Sequence, residues 1–354
     1  MAAFGLSEGM TNVSKAAQAN RTVVCIYLMG GNDSNNMIVP LDSPAYDAYA
    51  RGRGQLALAK DSLLPVQSGS SGNYGFHPKL PGLRDLYNQN ALAVVANVGR
   101  VAPGRQAAGS STDNSAEMQV RFLPWGYLAI PWAVPNAADS AAAQVVNLSH
   151  GVTVAGAANP LPHHRLDQPA GPVRSRNRRA RTVITDQLNT VLEALKTGGP
   201  GQRAFMVPVG GFETKQDQLN RQADLFAELD SALVTFYWAV KGLGMSDIVT
   251  TYTDTEFNRT LAPNRTGGTD HAWGGHHLVL GGATLGGQIY GQFPSMEVGG
   301  ADDASGNGTW APSTSSAQYA ATLASWWGNI NLADVPEYAP SYRPDQPRLG
   351  FLAH

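Results

Sequence analysis

With 43% apolar and 15% charged residues, a chain of 354 residues can bury a large core and is neither a disordered protein nor a coiled coil. A net charge of −2 gives no field that would draw it to nucleic acid or to an anionic membrane. No apolar run approaches the roughly 20 residues of a membrane span, and a lone cysteine, Cys25, excludes a disulfide within the chain.

In chain order, residues 1–20 close on Ala16-Ala17-Gln18-Ala19-Asn20, the small-residue spacing of a signal-peptidase site. The segment reads either as the remnant of a targeting peptide or as a frayed terminus. Residues 22–29 are a continuous apolar run ending at Gly30-Gly31, which predicts a strand buried on both faces, with Cys25 as a small hydrophobe inside it. Pro78 and Pro81 open a short helix over 80–87, and residues 92–98 form a second buried strand. Residues 100–182 fit no such pattern. They are rich in Ala, Pro and Ser, and Arg174, Arg176, Arg178, Arg179 and Arg181 crowd together without an aromatic residue among them to stack a base, so the stretch reads as an exposed loop.

Residues 205–209, ending at Gly210-Gly211, give a third strand. Leu219, Ala223, Phe226, Leu229, Leu233, Phe236 and Val240 recur at helical spacing, and Gly242 and Gly244 stop that helix. A fourth strand follows at 248–253, a short fifth at 277–280 and a last helix at 318–327. Strands alternating with helices predict a single α/β domain over 21–354, with a mainly parallel central sheet, helices on both faces and 100–182 as an irregular insertion.

In such sheets ligands bind beyond the carboxyl ends of the strands. There this sequence delivers Gly30-Gly31-Asn32-Asp33, then Gly210-Gly211-Phe212-Glu213-Thr214-Lys215, then Glu256-Phe257-Asn258-Arg259-Thr260, then Gly267-Gly268-Thr269-Asp270-His271. Four acids at four such ends, with three of the chain's histidines between 271 and 277, point to a ligand site and suit a hard or borderline cation. One carboxylate alone would mean little, since Asp and Asn also start turns. A nucleotide-binding oxidoreductase is disfavoured, because Gly281-Gly282 to Gly286-Gly287 lacks the three-glycine spacing that a dinucleotide needs.

Those motifs, with Phe76-His77-Pro78, Gln318-Tyr319-Ala320-Ala321-Thr322-Leu323 and Leu349-Gly350-Phe351, resemble the domain-of-unknown-function 1501 proteins, exported bacterial proteins that usually carry a twin-arginine signal. The resemblance implies an alkaline-phosphatase-like fold and a metal-dependent hydrolase of phosphate or sulfate esters, with one or two divalent ions (Zn, Mn, Mg or Ca). It implies a periplasmic or extracellular location and a small anionic ester or a sulfated or phosphorylated glycan as partner, with homo-oligomers open. By the same resemblance Asp33, Glu213, Glu256, Asp270 and His271 would hold metal, Arg259 would grip the ester's oxygens and Ser110 would be the nucleophile. The sequence also departs from the pattern: Ser111 and Lys215 stand where the family has histidines, and Glu213 where it has Asp. A protonated lysine repels a cation, so a degraded site, or a non-catalytic binding or assembly protein keeping the fold, is the alternative.

Overall fold

A computed structural model describes residues 20–69, 72–99, 143–147, 153–155, 177–198, 201–328, 331 and 348–353. Its centre is strand β1 (Thr22–Leu28), whose seven residues are all buried, as an uninterrupted apolar run requires. On one side β1 pairs in parallel with β8 (Gln202–Val209), and on the other with β9 (Val249–Asp254). Beyond β8 lie β6 (Ala143–Asn147), parallel, and β7 (Thr153–Ala155), antiparallel.

The expected mainly parallel sheet holds, and beyond β9 two of its pairings are antiparallel. Strand β12 (Gly275–Gly281) runs antiparallel to β9 and to β5 (Leu92–Gly99), between which it is inserted. Two short strands, β13 (Ile289–Tyr290) and β14 (Thr314–Ser315), finish that side, each parallel to β5. The sheet is therefore mixed and mostly parallel.

Helices cover both faces. Leu83, Leu86, Ile184, Leu188, Phe226 and Leu233 pack against Val24, Ile26 and Leu28 from α2 (Pro81–Asn88), α3 (Asn177–Thr197) and α4 (Gln218–Gly242). On the opposite face Leu323, Trp326 and Trp327 of α5 (Ser316–Gly328) pack with Val23, Cys25 and Tyr27. The alternation of β1 side chains between these clusters is the period-two geometry of a central strand. Within the predicted insertion 100–182, the described residues form β6, β7 and the start of α3. Arg174, Arg176 and residues 1–19 lie outside the described residues.

The sequence reading gave no elements for 37–76. There the chain forms helix α1 (Ala45–Arg53) and a small antiparallel sheet of β2 (Ile38–Pro40), β4 (Asn73–Phe76) and β3 (Leu64–Gln67). Val39, Tyr49, Leu63, Leu261, Met296 and Trp310 make a third, smaller cluster beneath them.

Candidate functional site at the carboxyl edge of the sheet

The parallel registers align the carboxyl ends of three strands: Leu28 lies beside Val209, and Tyr27 beside Asp254. Because β12 is antiparallel, its first residues reach the same edge, with Gly275 opposite Val98. The loops at residues 30–36, 256–260 and 269–276 thus converge.

Gly30 and Gly31 adopt φ of +105° and +85°, and their backbone N–H groups donate to Oε2 of Glu256 at 3.0 and 3.2 Å. A methyl at Gly30 would lie 2.5 Å from the backbone nitrogen of Glu213, so glycine is needed for the two loops to approach. Burial raises the Glu256 carboxyl above its ordinary pKa, partly offset by these amides, and its Oε1 is buried without a partner.

The next five residues, Asn32 to Asn36, are all buried. Asp33 forms an ion pair with Arg53 of α1, accepts a hydrogen bond from Nε2 of Gln218 at the start of α4, and accepts the Asn35 amide at 3.0 Å. Nε2 of Gln222, one turn further along α4, donates to the Asp33 carbonyl at 2.6 Å. Asn258 Oδ1 accepts from the Ser34 amide and hydroxyl at 3.0 and 3.1 Å, and Ser34 Oγ accepts the His276 amide at 2.9 Å. Asn35 is held by Trp310 Nε1 at 2.7 Å. Buried polar groups are tolerable when partnered in this way, and together they lock the three loops.

Arg259, expected to grip an ester, is fully buried and turned inward. Its Nε donates to Thr269 Oγ1 at 3.1 Å, one terminal nitrogen to the Gly30 carbonyl at 2.9 Å, and the other to the Thr269 carbonyl. Asp270 is exposed, with Asn264 Nδ2 at 3.4 Å. Ser110 and Ser111 lie outside the described residues.

Glu213, Lys215 and His271 also face solvent, each about half exposed. Lys215 Nζ is 3.0 Å and His271 Nε2 3.5 Å from Glu213 Oε1. The Lys215 hydrogen bond, with His271 adding to it, holds the Glu213 carboxyl below its ordinary range. Burial, aided by Arg259 and Lys215, lowers His271, whose ring lies against Phe257 with centroids 4.0 Å apart. His276 and His277 are buried in β12 and stack on Phe293 and Tyr319. His276 Nδ1 accepts the Asn97 amide at 3.0 Å, so its ring is neutral and protonated on Nε2.

These residues fit the implied metal centre poorly. The Asp33 carboxylate faces a guanidinium and Glu213 faces an ammonium, and either charge would repel an approaching ion. Among the described residues no group of three or more His, Cys, Asp or Glu side chains is arranged to hold a metal. The sequence reading missed Arg53, Gln218 and Asn258 as organisers of this edge. The spacing of Tyr46, Tyr49 and Arg53 by three and four residues was the available signal for Arg53, since it places them along one face of a helix.

Residues 136–306, a stretch holding Glu213, Glu256, Arg259, Asp270 and His271, match the family model described as "Protein of unknown function (DUF1501)". The DUF1501 resemblance stands over that stretch. No curated protein matches the chain. Among solved structures the chain is similar to the C-terminal periplasmic domain of EcEptC from Escherichia coli in complex with Zn. The two share 11% identity over 74% of this chain and 73% of that one, at a TM-score of 0.36. It is also similar to Ps i-CgsB in complex with k-i-k-neocarrahexaose, at 10% identity over 88% and 73% of the two chains and a TM-score of 0.33. At those scores neither likeness carries an argument about this chain. No helix among the described residues is long and apolar enough to cross a membrane.

Proposed function

We propose that this chain is a non-catalytic binding or assembly protein built on the α/β scaffold of a metal-dependent ester hydrolase. The carrying observation is the engagement of Asp33: buried, it is neutralised by Arg53 and hydrogen-bonded by Gln218 and the Asn35 amide. A divalent ion arriving at that carboxylate would meet a fixed positive charge within bonding distance of its ligand. A location outside the cytoplasm belongs to the same reading and is supported by the DUF1501 resemblance.

Elemental analysis of dialysed protein is expected to find no stoichiometric divalent metal. Assays with p-nitrophenyl phosphate and p-nitrophenyl sulfate, each with added Zn, Mn, Mg or Ca, are expected to give no turnover above buffer. Turnover that needs a divalent ion and disappears in His271→Ala would overturn the reading.

A second reading, a hydrolase with one divalent ion at the mouth acting on a small anionic ester or a sulfated or phosphorylated glycan, is favoured by two observations. Glu256 Oε1 is buried and unpartnered, and Glu213 and His271 lie 3.5 Å apart at the surface. The same assays decide between the two.

A further inference from the structure

Among the described residues, a cavity of about 640 Å³ opens between β3, β4 and the end of α2. Two of its lining residues, Asn90 and Gly287, come just before β5 and β13. Strands β5 and β9 are both antiparallel to β12 and so share one direction with β1. The cavity therefore lies at the amino edge of the sheet, opposite to the edge that carries Asp33. Val66 and Tyr87 are buried and form its floor, and the Tyr87 hydroxyl donates to the Gln67 carbonyl at 3.3 Å. Its charged groups balance. Asp42 accepts the backbone and side-chain amides of Asn73 at 2.8 Å each, which pins the carboxylate in one orientation. Those bonds, with Lys60 nearby, lower its pKa, so it is ionised and only accepts. Nζ of Lys60 lies 5.3 Å from the centre of the Tyr46 ring. Apart from Tyr87, the remaining polar side chains are the neutral amides of Gln67, Asn73, Asn88 and Asn90. Those of Gln67, Asn88 and Asn90 make no hydrogen bond among the described residues.

An amide presents two donors and an acceptor, and a hydroxyl can answer either kind. An anion placed in this cavity meets Asp42, and a cation meets Lys60. An apolar molecule would strip water from two charges and four amides and give them no partner in return. A neutral molecule rich in hydroxyls incurs none of these costs. The volume lies within the range of about 300–1,000 Å³ found for small-molecule sites. We propose that the cavity binds a neutral oligosaccharide, whose hydroxyls pair with Asp42, Asn73, Asn88 and Asn90 while its ring C–H groups lie on Leu41 and Pro65. The site is separate from the carboxyl edge, so it stands whether or not that edge turns over an ester.

The test is calorimetric titration of wild type, Asn88→Ala and Asp42→Asn with neutral trisaccharides of glucose, xylose, mannose, galactose and N-acetylglucosamine. Inorganic sulfate serves as the charged control. Wild type is expected to bind at least one of the trisaccharides with a Kd of about 1 mM or tighter, and to give no heat with sulfate. Asn88→Ala and Asp42→Asn should each weaken that binding about fivefold or more. Asn88→Ala should keep the wild-type melting temperature, since its exposed side chain holds no other described residue by a hydrogen bond. No heat from any trisaccharide at about 5 mM, heat from sulfate alone, or binding that both variants leave unchanged would overturn the proposal. Should Asp42→Asn not fold, Asn88→Ala decides alone: weaker binding by a protein of unchanged melting temperature supports the site, and equal binding refutes it.

Discussion

A methyl group at Gly31 would lie 2.3 Å from Cε2 of Phe257, on a residue whose φ of +85° suits glycine alone. Gly299 has a similar φ of +77°, but open space where a Cβ would go. Gly31→Ala is therefore expected to cost about 3 kcal/mol and Gly299→Ala about 1 kcal/mol, the difference being the steric clash. Urea unfolding of the two variants measures it, and equal losses would show that the Phe257 contact does not constrain the loop. The Gly30-Gly31 turn and Asp33 were legible in the sequence, because glycine pairs after an apolar run have few other uses. The fate of the Asp33 charge was not. Its partner Arg53 is twenty residues away on a helix that composition alone does not announce. Likewise the cluster of histidines from 271 to 277 divides: His271 faces solvent, whereas His276 and His277 lie in a strand covered on both faces.

At the scale of elements, long periodic segments were readable and short ones were not. The apolar stripe from Leu219 to Val240 became α4, and the apolar run before Gly30 became β1. Strands β2, β3 and β4 have three or four residues each, too few to display a period, and their pairing supplies what their sequence does not. The direction of β12 was also hidden, since a buried strand reads the same either way along the chain. One contact between elements is a cap: Asp230 of α4 accepts the backbone N–H groups of Gly82 and Leu83 in the first turn of α2, at 3.2 and 2.7 Å. These donors have no partner within their own helix. Asp230→Ala is expected to lower stability by about 1–2 kcal/mol in urea, with Asp230→Asn losing less; no change in the midpoint would refute the capping role.

For the whole molecule, three buried histidines set the response to acid. Burial pushes His77 down to about 4, His276 to about 3 and His277 to about 4. Each is depressed in the folded state, so its contribution is complete above the unfolded value of 6.5 and is lost as pH falls from there toward 4. Asp254 acts in the opposite sense. Burial, with Glu256 close by, raises its carboxyl to about 7, so over the same interval it takes up a proton in the folded state before it does so unfolded. His271, lowered by burial, adds to the histidines, while Glu256 and Asp230, raised by burial, join Asp254; the histidines still outnumber the raised carboxyls, so acidification costs stability, with a limiting slope of about 1.4 kcal/mol per pH unit per uncompensated group. Melting temperature is thus expected to fall between pH 6.5 and 4, less steeply in His77→Gln and more steeply in Asp254→Asn. A wild-type melting temperature independent of pH over that range would contradict the assignment.

The insertion of β12 between β5 and β9 also dictates the order in which the sheet can be completed during synthesis. Strands β1 and β5 are both made within the first hundred residues, yet they touch only through β9 and β12. A growing polypeptide therefore carries β5 with an open hydrogen-bonding flank until residues 275–281 leave the ribosome. Nascent chains of this protein must keep that flank from pairing with a stranger while residues 100–274 are made.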